Sequence, residues 1–167
     1  MTPSTVILGV GDATEPGADF GPRCVDDLLA RWRFPERVRV VGGRESATSV
    51  APLIAEARAL LVFGQVARGQ APGALQIVQG EKVPDLLAAS AGAADLQAAI
   101  AAVNGGTRPE RMALIGCQRA EPCEAGTATA AIGRQVAPAV EVALTILRGW
   151  GICPLAGDRP AARPATA

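Results

Sequence analysis

Residues 6–11 read VILGVG, residues 12–18 DATEPGA, and residues 19–32 DFGPRCVDDLLARW. The first piece is β-branched and apolar and ends in glycine, as a buried strand does. The third places Val25, Leu28, Leu29 and Trp32 at helical spacing, with polar residues between them. Strand, glycine-containing loop and amphipathic helix in that order open an α/β unit. In open α/β sheets ligands sit beyond the carboxyl ends of the strands, which is where this loop falls.

Further along, RVRVV at 37–41 alternates charged and apolar residues and reads as a second strand, stopped by Gly42 and Gly43. A helix follows, capped at Thr48 or Ser49, with Pro52 near its first turn and Val50, Leu53, Ile54 and Ala57 on its apolar side. ALLVF at 59–63 is continuously apolar, as a central strand covered on both faces should be. After the loop 64–73, ALQIVQ at 74–79 alternates again and suits a short strand, possible as an antiparallel edge. Residues 80–94 have no firm period; a helix is expected over 95–103, and MALIG at 112–116 is another buried strand.

Ile132, Val136, Val140, Leu144, Leu147 and Trp150 then form the longest helical stripe, in which Pro138 forces a late start or a kink. Residues 153–167 have the composition of a disordered tail, which leaves 1–152 as the folded domain. Five strands alternating with four helices imply a three-layer α/β/α sandwich around a mostly parallel sheet.

Sixteen basic and sixteen acidic residues balance, so the chain carries no electrostatic footprint for nucleic acid. No run approaches the roughly 20 apolar residues of a membrane span. The N-terminus has no basic leader ahead of its first apolar run, and a cytoplasmic protein is expected. The four cysteines, Cys24, Cys117, Cys123 and Cys153, form no CxxC pair and read as free thiols. The chain has no histidine. That removes Ser-His-Asp and Cys-His catalysis and the imidazole metal ligand.

Asp12, Glu15 and Asp19 are candidates for cation binding or acid–base work; the plainer alternative is that Asp12 and Asp19 cap loop and helix N–H groups. Asp26 and Asp27 read as a solvated helix face. Arg23 suits either an acidic partner or plain solvent. Cys117 is a possible nucleophile without a base, and so reads more simply as core. Gly9-x-Gly11 is the beginning of a dinucleotide fingerprint whose third glycine is missing. Trp32 and Phe34 suit an interface or the core equally.

The ordered series ILGVGD…DFGPRCVDDL, GG at 42–43, ALLVFG…GQAPGAL at 59–75, MALIGCQ at 112–118 and IGRQVAPAVEVALTILRGWGI at 132–152 resembles the hydrogenase maturation endopeptidases. These trim the C-terminus of the large subunit of nickel-iron hydrogenases once nickel is in place. The resemblance implies a nickel-recognising Glu in the first loop, an Asp after the third strand and a later His. Aligned on Phe20 and Gly21, however, Gly17 and Ala18 stand at the acidic pair, Gly64 at the Asp and Gly42 at a further acidic position. Asp12 replaces the usual Asn, and nothing replaces the His.

The resemblance therefore implies a maturation factor that binds a nickel-iron hydrogenase large subunit, its precursor or another maturation protein, as a chaperone or scaffold rather than a protease. Asp12, Glu15, Asp19, Phe20, Arg23, Gly42, Gly43, Gly64 and Gln65 are the expected binding face. Glu15 and Asp19 are weak metal candidates, no resident cofactor is expected, and nickel enters only with the substrate. The alternatives are an active endopeptidase that uses the loop carboxylates and, from another class, a small α/β oxidoreductase or nucleotide-binding module.

Overall fold

The computed structural model describes residues 4–11, 19–42, 47–83, 109–119 and 125–157. The elements run β1 (Thr5–Gly9), α1 (Phe20–Arg31), β2 (Trp32–Arg33), β3 (Val38–Val41), α2 (Ala47–Glu56), β4 (Ala59–Val66) and β5 (Leu75–Gln79). A 3-10 turn, Gly80–Lys82, precedes β6 (Arg111–Gln118), α3 (Ala125–Arg134), α4 (Val136–Gly149) and β7 (Leu155–Ala156). The helix expected over 95–103 lies outside the described residues.

The main sheet has five strands in the order β3-β1-β4-β6-β5. β1 pairs in parallel with β3 and β4, and β4 with β6. β5 runs antiparallel on the edge, as its alternating sequence allows. Period-two alternation divides the core between two faces. Ile7, Leu61, Phe63 and Ile115 meet Phe20, Val25 and Leu28 of α1 and Val140, Leu144 and Leu147 of α4 on one face. Val6, Leu8, Leu60, Val62 and Leu114 meet Ile54 of α2 on the other. Three layers result, and the apolar strands of the sequence are those covered on both sides.

Several boundaries differ from the sequence reading. β4 runs to Val66 and β6 to Gln118, because Gly64, Gln65 and Val66 pair with Gly116, Cys117 and Gln118. Gly64, Gln65 and Cys117 are therefore strand residues rather than the start of loops. Trp32 leaves the helix for extended backbone (φ −131°, ψ 148°) and pairs with Ala156, so the stretch expected as a tail begins with a strand. Leu29, expected on the buried stripe, is exposed. α2 begins at Ala47, which puts Thr48 and Ser49 inside it and Pro52 in its interior, where the bond to the Thr48 carbonyl is lost.

The apolar stripe of the C-terminal helix is buried from Ile132 to Leu147. The chain breaks at Gln135, and Pro138 sits in the first turn of α4, where its missing N–H costs nothing. By length and composition Thr129–Gly149 is apolar enough to cross a membrane, which the reading of the sequence overlooked. Its Ile132, Ala139, Val140, Ala143, Leu144 and Leu147 are core residues of this fold.

Candidate functional site

From β1 the chain crosses to β3 through α1 on one face, and from β3 it returns to β4 through α2 on the other. The carboxyl ends of β1 and β4 are thus a switch point of the topology, where open α/β sheets form their crevice. The ladder between them ends with the Val10 amide donating to the Phe63 carbonyl at 2.8 Å. Beyond it, Gly64, Gln65 and Val66 are buried and no longer pair with β1, and among the described strands they pair with β6.

The N-terminus of α1 closes one wall of this crevice through two glycines. A Cβ on Gly9 would lie 2.5 Å from the Gly21 carbonyl oxygen, and one on Gly21 would meet the backbone of Val10 and Phe63. Gly9 is bare so that α1 can approach β1. That removes the motive for reading Gly9-x-Gly11 as a phosphate cradle, and with it the support for a nucleotide-binding module. Gly64, though buried, is different: its nearest neighbour for a Cβ among the described residues is the Val10 Cβ at 3.8 Å, ordinary contact distance. Gly42, at the end of β3, is open in the same way, with the Val25 Cγ1 at 3.9 Å. Among the described residues a Cβ would fit at both positions, and the sequence supplies none.

Asp19 occupies the N-cap position of α1, and its carbonyl accepts the Arg23 amide at 2.9 Å. Its side chain makes no cap hydrogen bond, and Oδ1 is buried without a partner among the described residues. The capping role expected for it is therefore not filled. Phe20 is a correction of another kind: it is fully buried in the core and cannot belong to a binding face. Arg23 is exposed, with its guanidinium over Gly133 of α3. Gln65 is buried on the α1 side of β4. Asp12, Glu15, Ala18 and Gly43 lie outside the described residues.

The carboxylates of α1 itself are structural. Asp26 is exposed, and Asp27 pairs with Arg31 one turn on at 2.5 Å. Among the described residues no three His, Cys, Asp or Glu side chains come together as a metal site. One residue missed by the sequence reading is Gln118, the polar end of an apolar strand. Its Oε1 accepts the Arg68 amide at 2.9 Å and Gln76 Nε2 at 3.3 Å, and its backbone bonds Gly73 and Ala74. It holds the loop that leaves β4 against β6. The only signal in the sequence was a glutamine directly after LIGC.

Cys24 and Cys117 are buried free thiols. Burial pushes the Cys117 thiol up to about 11. Cys24 is pushed up further, chiefly by burial, with Cys117 and Asp27 adding and Arg23 opposing. A buried thiol held in its protonated form is a poor nucleophile, which favours reading Cys117 as core. Iodoacetamide should therefore modify exposed Cys153 at least about tenfold faster than Cys24 or Cys117 in the folded protein, as peptide mapping would show. Because both folded thiols hold their protons more tightly than unfolded ones, the stability they give is complete below pH 9; the Cys117 share is lost as pH rises from 9 through 11, and the Cys24 share at higher pH still.

A family model described as hydrogenase maturation protease matches residues 22–146. The chain is 35% identical to the hydrogenase expression/formation protein HoxM of Azotobacter vinelandii, over 99% of its own length and 82% of that protein's. It is 34% identical to HupD of Rhodobacter capsulatus, with 88% and 72% covered. Among solved structures, the hydrogenase maturating endopeptidase HybD of Escherichia coli aligns with a TM-score of 0.77 at 23% identity, over 91% of this chain and 96% of that one. The last likeness bears on fold.

Proposed function

Because the chain belongs to the hydrogenase maturation protease family, we propose that it is a maturation factor which binds a nickel-iron hydrogenase large subunit, or its precursor, without cleaving it. The crevice between β1 and β4 receives the partner, in the cytoplasm, as a chaperone or scaffold would. The observation that carries this reading is Gly64. It is a buried position just past the end of the β1–β4 ladder, where a Cβ would fit among the described residues and no charge is supplied, in a chain that has no histidine. Nickel favours nitrogen-containing ligand sets over carboxylates alone. The chain's own residues therefore suit a peptide segment better than a metal, and nickel is met only as the partner's cargo.

One observation favours a second reading, an active endopeptidase. Asp19, whose buried Oδ1 has no partner among the described residues, ends the loop that carries Asp12 and Glu15, so a carboxylate is at hand for acid–base work. Native mass spectrometry of the protein mixed with a nickel-loaded large-subunit precursor separates the two. The expected result is a stable complex in which the precursor keeps its full mass. A precursor shortened at its C-terminus, with shortening lost in Asp19→Asn, would establish the protease instead. Absence of any complex would overturn both.

A further inference from the structure

The opposite end of the sheet carries a cluster that the crevice does not use. At the amino ends of β3, β4 and β6, Arg37, Arg58 and Arg111 line one pocket of about 300 Å³, together with Glu110 and Trp150. The backbone fixes them there. The Arg37 carbonyl accepts the Ser4 and Thr5 amides, the Arg58 amide donates to Ser4, and the Arg111 amide donates to Arg58. Three arginines thus line one pocket at three strand ends, beside a single carboxylate. Glu110 forms no ion pair with any of them among the described residues.

Two of the arginines have a structural duty. Arg37 Nη2 donates to the Gly151 carbonyl at 3.2 Å and Arg111 Nη1 to the Trp150 carbonyl at 3.3 Å, which satisfies the carbonyl end of α4. That duty uses one of the five N–H groups of each and pins both side chains in place. It explains neither Arg58, whose guanidinium has no partner among the described residues, nor the cavity between them. Like charges held close raise each other's cost, and an oxyanion between them lowers it. Pinned guanidiniums also lose little rotamer freedom on binding, and their planar fork fits phosphate oxygens.

We propose that this pocket is an anion site for a small phosphate or diphosphate group free in solution. It lies roughly 20 Å from the crevice, a strand's length away, and is independent of the reading given above. The volume, at the small end of ligand pockets, admits one such group rather than a folded partner.

Calorimetric titration of the full chain with inorganic pyrophosphate tests the site. Saturable binding is expected below about 1 mM, weakened at least tenfold in Arg58→Ala and strengthened in Glu110→Gln, with thermal melting unchanged in both. Titration with a polyglutamate peptide of equal charge serves as the second arm and should give weaker binding. Binding of pyrophosphate that Arg58→Ala leaves intact would overturn the site. So would preference for the peptide, or no saturable binding up to about 10 mM.

Discussion

Gly21→Ala should melt well below the parent protein, and Gly64→Ala should melt with it. In most helices replacing glycine by alanine is favourable by up to about 1 kcal/mol, because the unfolded chain loses freedom. At Gly21 the added methyl group arrives 2.5 Å from the Val10 nitrogen and 2.7 Å from the Phe63 carbonyl oxygen. Both are backbone atoms, and that same carbonyl already accepts the Val10 amide at 2.8 Å. Neither neighbour can retreat without opening the ladder between β1 and β4. Helix α1 must withdraw instead, and with it Phe20, Cys24, Val25 and Leu28 lose their seats in the core.

Overpacking against rigid atoms at that depth costs about 3 kcal/mol or more. For a chain of this size the melting temperature falls by about 6–12 °C, and soluble yield falls with it. Gly64 tests the opposite case on the neighbouring strand, where among the described residues a Cβ meets the Val10 Cβ at contact distance. Alanine there should be neutral or stabilising by a few tenths of a kcal/mol. Thermal melts of the two variants side by side decide the matter. Equal tolerance would show that Gly21 is not a point of closest approach. A large loss at Gly64 would show that the crevice has no room for a bound segment.

These two glycines also mark what the sequence could and could not disclose. Strand alternation, the antiparallel edge at 75–79 and the stripe from Ile132 to Leu147 are local patterns, and each appears in the fold where the residues place it. The reason for Gly9 is not local: its counterpart is Gly21, twelve positions on and in contact only because α1 lies across β1. A sequence motif read at Gly9 and Gly11 alone therefore suggests a ligand where the structure has a helix. The extra strand residues at 64–66 and 117–118 are likewise dictated by a partner strand. Gly42, Gly64 and Gln65 reach the carboxyl end of the sheet, as the strand ends read in the sequence place them. Phe20 turns into the core instead, since adjacency to a loop says nothing about which way a helix's first side chain turns.

Phe20→Ala should abolish partner binding through loss of the fold and not through loss of a contact. Phe20 is fully buried, in one cluster with Cys24, Leu28, Phe63 and Cys117. Truncation to alanine removes its transfer free energy and leaves a cavity between α1 and the sheet, together worth about 3–5 kcal/mol. Set against a typical domain stability of about 5–15 kcal/mol, that loss populates unfolded protein at ordinary temperatures. The crevice loses its α1 wall at the same time, so the proposed binding of a large-subunit precursor falls with it. Recovery is the distinguishing feature: an excluded osmolyte such as sucrose, or partial refilling by Phe20→Leu, should restore binding and melting temperature together. Leu29→Ala, at a side chain 52% exposed on the outer face of the same helix, should change stability by no more than about 0.5 kcal/mol. A Phe20→Ala protein that melts like the parent yet fails to bind would return Phe20 to the binding face. It would also require α1 to move when the partner arrives, because nothing else exposes a ring that the sheet and α1 together cover.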